Sequence, residues 1–202
     1  MNKIITISRQ YKAGGKELGK IIAKKYNIPF YDSKLIELAA KESGVAGSFF
    51  EEPERNASNS LLYSIVRGMQ YQHSYSTTPW SLEETIYKTQ SDVIRKIADE
   101  GPCVIIGRCA DYILRDREDV VRIFVRADFD LRVKKAAEEL KTEPDDAQEE
   151  VRMKDKRRAN YYNYHSDTKW GSIDNYDLAI DTTHIGIEKA AEVVSSFVEC
   201  LK

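Results

Sequence analysis

Apolar residues recur along the chain in two rhythms. Ile4 to Ser8 is a short, continuous β-branched run and predicts a buried strand. Leu18, Ile21, Ile22 and Tyr26 then fall at helical spacing, so Lys16 to Tyr26 predicts a helix. "NIPFYD" predicts a second short strand with Asp32 at its carboxyl end, followed by a helix over Ser33 to Lys41 that Gly44 ends. Ser81 and Glu84 form a capping box, which starts a long helix running to about Ala98. "GPCVIIG" and "VVRIFV" read as buried strands, with the short helix "ADYILR" between them. Asp128 or Asp130 can cap a helix that runs to Leu140. A strongly charged helix over Asp145 to about Tyr162, the strand "YDLAID" and an amphipathic helix over Ile187 to Leu201 complete the pattern.

Strands and helices alternate, and the strands are apolar almost throughout. That order predicts an α/β fold, a parallel sheet with helices on both faces. Ligands in such sheets bind beyond the carboxyl ends of the strands. The residues there are Ser8–Gly15, Asp32, Gly107–Asp111, Arg126–Asp128 and Asp181–Thr183, a set rich in Gly, Arg and Asp that suits phosphate and magnesium. Residues 44–80 break the rhythm with two polar, turn-rich stretches and one helix expected near Leu61 to Gln70. They read as an insertion within a single domain over 1–202.

Composition narrows the partners. The 202 residues carry a net charge of −2, which gives no bulk attraction to nucleic acid or to an anionic membrane. Any anion must therefore meet a local cluster of charge. The opening is too short an apolar run for a signal peptide, and no run is long enough to span a bilayer. Three cysteines without metal spacing predict free thiols in a reducing, cytoplasmic setting. His73, His165 and His184 show neither metal spacing nor a nucleophile partner.

Three stretches carry the candidate chemistry. In "ISRQYKAGGKELGK", Gly14, Gly15 and Lys16 stand where strand turns into helix, the place of a phosphate-binding loop. Two positions depart from the usual G-x-x-x-x-G-K-[ST]: Gln10 replaces the first glycine and Glu17 the hydroxyl residue. The alternative is a plain strand–helix turn. In "VIIGRCADYI", Arg108 follows a buried strand and emerges at the ligand edge, or else pairs with Asp111 at the helix start. In "VRMKDKRRANYYNYHSDTKWG", Arg152, Lys156, Arg157 and Arg158 fall within two helical turns and precede Tyr161, Tyr162 and Tyr164. Such a run forms a solvated face or, beside a phosphate loop, a lid over a transferring phosphoryl group.

"ISRQYKAGGKELGKIIAKKYNIPFYD", "VIIGRCADYIL", "DKRRANYY" and "WGSIDNYDLAIDT", in this order and spacing, resemble the cytidylate kinase-like family of P-loop nucleoside monophosphate kinase relatives. The resemblance covers nearly the whole chain and is weakest over 44–80. It implies a P-loop three-layer fold with a five-stranded parallel sheet, a helical acceptor-binding insertion within 33–100 and an arginine-rich lid within 145–170. It also implies ATP and magnesium as cofactors and transfer to a nucleoside monophosphate, CMP first. By position, Arg9, Ala13, Gly14, Gly15, Lys16, Glu17 and Leu18 would form the ATP site. Asp32, Arg108, Asp111, Lys156 and Arg157 would meet the acceptor, and Lys16, Arg152, Arg158 and Asp32 would be catalytic. Asp32 or Asp111 would hold magnesium.

The departures bear on that assignment. Cytidylate kinases carry Asp directly after the Gly-Arg pair, where this chain has Cys109. Glu17 would repel triphosphate oxygens unless a metal intervened, so it is expected to point away from the phosphates, toward solvent or a basic neighbour. Two rivals stay open: a nucleotide-binding module with little catalysis, and a kinase acting on another small metabolite. Nucleic acid and membrane are not expected partners.

Overall fold

The computed structural model describes residues 2–40 and 82–201; the side chains of 37–40 and of Leu82 are not described. The insertion expected at 44–80, its helix near Leu61 to Gln70, His73 and the capping Ser81 lie outside the described residues.

β1 (Ile4–Arg9) runs through the middle of a five-stranded, all-parallel sheet. The order across the sheet is β2 (Phe30–Tyr31), β3 (Val104–Ile106), β1, β4 (Val120–Arg126) and β5 (Leu178–Asp181). Register pairs Ile5 with Val104 on one side of β1 and with Val121 on the other. Every β1 residue from Ile4 to Ser8 is buried, so the strand could be written only in apolar and small residues.

The two faces are covered separately. Ile5 and Ile7 of β1 pack with Leu18 and Ile22 of α1 (Gly15–Tyr26) and with Ala190 and Val194 of α7 (Gly186–Cys200). Ile4 faces the other way, into a core with Ile36 of α2 (Ser33–Ala40), Val93, Ile94 and Ile97 of α3 (Leu82–Glu100), and Ile113 of α4 (Ala110–Ile113). This is the three-layer arrangement that the alternating pattern and the family resemblance predicted.

α5 (Phe129–Leu140) and α6 (Pro144–His165) form a hairpin beside the site, sharing a small core of Ala136, Ala147 and Val151. Asp128 caps α5 by accepting from the N–H groups of Asp130 and Leu131. α6 runs one turn farther than its charge pattern suggested. Its last residue, His165, stacks on Tyr87 of α3 with ring centroids 3.9 Å apart, so aromatic packing holds the extra turn. All three cysteines are free, two buried and Cys200 exposed. No described helix is long and apolar enough to cross a membrane.

Candidate active site

The carboxyl end of β1 opens into the loop 10–14. Gln10, at the place of a first glycine, is a structural tie: its amide oxygen accepts the Ala127 N–H at 3.2 Å, and its own N–H donates to Val125 at 3.0 Å. The hydroxyl of Thr182, just past β5, donates to the Ala13 carbonyl at 2.9 Å. The loop is thus clamped from β4 and from β5. Gly14 takes a left-handed φ of 84° and leads into α1, whose first N–H groups have no partner within the helix. That is the geometry of an anion cradle.

Lys16 projects from the first turn of α1 to Asp32, with Nζ 2.5 Å from Oδ2. The other oxygen of Asp32 accepts the Lys34 and Leu35 N–H groups, both at 3.1 Å, and so starts α2. Burial works against ionisation of Asp32, but Lys16 and those N–H groups outweigh it and hold the carboxyl below its ordinary value. Lys12 sits at a left-handed φ of 61° and pairs with Glu139. Glu17 is exposed at the rim of the same cleft.

Arg9 is the last residue of β1 and lines the same cleft as Lys16 and Glu17. Gly107, after β3, leaves the room that its guanidinium occupies: a Cβ there would stand 2.2 Å from Arg9 Nη1. Gly15 does the same for the stem, since its Cβ would stand 2.7 Å from Arg9 Cβ. Burial, then the like charges of Arg158 and Arg108, lower the Arg9 guanidinium to about 9. Arg158 of α6 donates to the Arg9 carbonyl at 3.0 Å. Asp155, one turn earlier, accepts the Tyr11 N–H at 2.6 Å and pairs with the buried Arg132 at 2.5 Å. It therefore fastens α6 to the loop and to α5 at once.

Two clefts meet at Arg9 and Arg158. One, about 540 Å³, is lined by the loop, Lys16 and Glu17. The other, about 440 Å³, is lined by Arg9, Arg108, Lys154, Arg157 and Arg158, with Tyr161 and Trp170 beside them. Its described lining holds five cations and no carboxylate. Arg108 lies over the Tyr161 ring, 5.2 Å from its centroid, in a run of three left-handed residues, Gly107 (φ 73°), Arg108 (φ 54°) and Cys109 (φ 54°). Such a run costs roughly 1–2 kcal/mol per non-glycine residue and concentrates at functional sites.

Three expected site residues lie elsewhere. Arg152 is exposed and stacks on Phe129 of α5, 5.1 Å from the ring centroid. Lys156 is exposed and lines neither cleft. Asp111 is buried and accepts the Tyr162 hydroxyl at 2.9 Å; burial pushes its carboxyl up to about 6, which suits neither a magnesium ligand nor an acceptor contact. Among the described residues no trio of His, Cys, Asp or Glu gathers for a metal. Of the loop's expected ATP contacts, Ala13 and Leu18 are wholly buried and can offer only backbone. Lys154 is the cation that sequence reasoning missed. Its signal was there: 154, 157, 158 and 161 lie on one helical stripe, while 152 and 156 face away from it.

A model of the cytidylate kinase-like family matches residues 4–184. The chain belongs to that family. Solved structures share its three-layer α/β fold. An uncharacterized protein from Eubacterium ventriosum is 24% identical over 98% of this chain and 99% of its own, with a TM-score of 0.75. A shikimate kinase from Bacteroides thetaiotaomicron is 14% identical over 98% and 99%, with a TM-score of 0.54. A shikimate kinase from Acinetobacter baumannii, in complex with shikimate, is 11% identical over 100% and 96%, with a TM-score of 0.51. No curated protein sequence matches the chain.

Proposed function

We propose that the protein transfers the γ-phosphoryl group of ATP to a small phosphorylated acceptor, with CMP the first candidate. One observation carries this reading: two clefts, one walled by the phosphate loop and one by five cations, share Arg9 and Arg158 as their common wall. A phosphoryl group passing between donor and acceptor would cross at that wall. Positioning and charge neutralisation are most of what a protein contributes to this reaction. The loop N–H groups would hold the donor phosphates, and Arg108, Arg157 and Lys154 would grip the acceptor phosphate. Arg158 would close the site from α6 and exclude water. The planar fork of arginine suits bidentate phosphate binding, which a lysine cannot supply.

Asp32, held in its ionised form, would be the residue to hold magnesium. Bound there it would neutralise charge on the donor phosphates. Asp111 does not fit, being buried and bonded to Tyr162.

The described lining of the acceptor cleft offers hydroxyls and aromatic rings but no amide or carboxylate side chain to receive a base amine. A phosphorylated metabolite without a base is therefore the second reading. The deciding experiment is ADP release from ATP with magnesium over a panel of nucleoside monophosphates and sugar phosphates. Acceptor-dependent turnover supports the kinase and identifies the class. ATP binding without turnover over the whole panel would favour a binding module instead.

A further inference from the structure

We propose that Tyr161 is a positioning residue: its ring holds the Arg108 guanidinium in the acceptor cleft, and Gln90 of α3 holds the ring. The inference rests on the kinase reading above, which gives Arg108 to the acceptor, and deepens it.

Arg108 stands on an unusual piece of backbone. Its φ of 54° falls between left-handed Gly107 and left-handed Cys109, where the chain turns from β3 into α4. The turn brings the arginine to the cleft wall, but its long side chain has many rotamers. Fixing one of them only when a ligand arrives weakens binding, and a guanidinium already held avoids that loss.

Tyr161 supplies the hold. Its ring centroid is 5.2 Å from the guanidinium carbon of Arg108, within reach of the attraction between a cation and the negative face of an aromatic ring. Burial pushes the Tyr161 phenol up to about 12, with Arg108 pulling the other way, so the hydroxyl keeps its proton at neutral pH. It donates that proton to Gln90 Oε1 at 3.0 Å. Gln90 is 3% exposed and stands on α3 between two other buried polar residues, Thr89 and Ser91. Their hydroxyls turn back to carbonyls of the same helix, those of Thr85 and Tyr87, both at 2.8 Å. Gln90 instead crosses to α6. A buried amide is unfavourable unless its bonds are made, and the bond made here fixes a residue of the cleft. The ring is also met edge-on by Tyr87 of α3, at a centroid distance of 6.4 Å, and by His165 of its own helix at 4.6 Å. Tyr161 lies one turn past Arg157 and Arg158 on the same stripe of α6, so the anchor that orients Arg108 also seats those cations beside it.

A packing residue, or one that touches the acceptor itself, would act independently of Arg108. A positioning residue acts only through it. The test compares wild type, Tyr161→Leu, Tyr161→Phe, Gln90→Met, Arg108→Ala and the paired Arg108→Ala/Tyr161→Leu variant in two measurements.

The first is steady-state turnover with ATP and the acceptor identified by the panel. Tyr161→Leu should raise the acceptor KM about five- to thirtyfold, as loss of a desolvated guanidinium–ring contact implies, while the ATP KM moves no more than about threefold. Tyr161→Phe keeps the ring without its hydroxyl, and Gln90→Met removes the oxygen that receives it; each should raise the acceptor KM by less than Tyr161→Leu does. Added to Arg108→Ala, Tyr161→Leu should change the acceptor KM by less than about threefold. A larger further loss in that background overturns the assignment. Where Tyr161→Leu fails to fold, Gln90→Met takes its place in both comparisons.

The second measurement is the Nε–Hε resonance of Arg108 in ligand-free protein, identified by its absence in Arg108→Ala and followed as inorganic phosphate is added. In wild type the ring should displace it upfield, and phosphate should move it. In Tyr161→Leu it should lose that displacement and need at least about fivefold more phosphate to reach half its shift. A resonance that is the same in both proteins overturns the assignment. If wild type turns over no acceptor at all, the kinase reading falls and the resonance decides the role of Tyr161 alone: both changes in Tyr161→Leu support it, and the lack of either overturns it.

Discussion

Asp111→Asn should make the protein more stable at neutral pH, and the gain should vanish in acid. Asp111 begins α4 and is 3% exposed. Desolvation is the main reason its carboxyl rises from 3.8 to about 6; the Tyr162 hydroxyl, backbone N–H groups and Arg122 pull it back only in part. Between about pH 4 and pH 6 the folded protein therefore holds a proton that the unfolded chain has released. Stability is greatest below pH 4 and falls as pH rises through 6. A shift of about two units corresponds to about 3 kcal/mol lost by pH 7.5. Asparagine cannot ionise, and its carbonyl can still accept the Tyr162 hydroxyl. Its new amide hydrogens add a penalty of about 1 kcal/mol that does not depend on pH. Urea denaturation of both proteins at pH 4, 5, 6 and 7.5, followed by circular dichroism, measures the difference. The variant should gain roughly 3 kcal/mol on wild type across that range, or several degrees in Tm at about 2–4 °C per kcal/mol. A difference that stays constant with pH would refute the reasoning, since it would mean the buried carboxyl titrates alike in both states.

Other outcomes follow from the same geometry. Asp155→Ala should cost about 3 kcal/mol in urea melts, because it strands the buried Arg132, and should speed hydrogen exchange at the Tyr11 N–H that it now bonds. Gly107→Ala should lose both stability and turnover, since its Cβ would collide with Arg9 at a φ of 73° that alanine resists; calorimetry and ADP release read the two losses. Lys16→Met should cost less than about 1 kcal/mol at pH 7, as Lys16 is half exposed to screening water. That deficit should disappear as pH falls through the depressed Asp32 value, where the carboxyl protonates and the ion pair is lost in wild type as well.

The apolar runs made the strands and their alternation with helices legible in the sequence, because burial on both faces leaves β1 and β4 few alternatives. Direction was harder to read. Lys16 was expected at the donor phosphates; that β2 also brings Asp32 to its ammonium group has no local signal. Arg9 was expected at the ATP site, but the slot that directs its guanidinium is made by Gly107, far along the chain, and has no local signal. Asp111 looked like a carboxylate for magnesium or the acceptor, but it is buried and bonded to the Tyr162 hydroxyl, a packing with no local signal. On α6 the cluster of charge was visible, but which stripe faces the cleft depends on the α5–α6 hairpin. Left-handed Arg108 and Cys109 carry no local signal, as neither residue type favours that region.

The place of β1 in the sheet also bears on how the protein is made. β1 is the first strand to leave the ribosome, yet both its neighbours, β3 and β4, lie roughly a hundred residues later. Until Val104–Ile106 has emerged β1 has no strand partner at all, and until Val120–Arg126 has emerged it has one on one side only. The Thr182 hydroxyl that clamps Ala13 arrives later still. The loop translated first is therefore finished almost last. A chain arrested before residue 182 would present α1 and a strand edge to other nascent chains, with no competent anion cradle between them, and aggregation of such fragments is the hazard this topology carries.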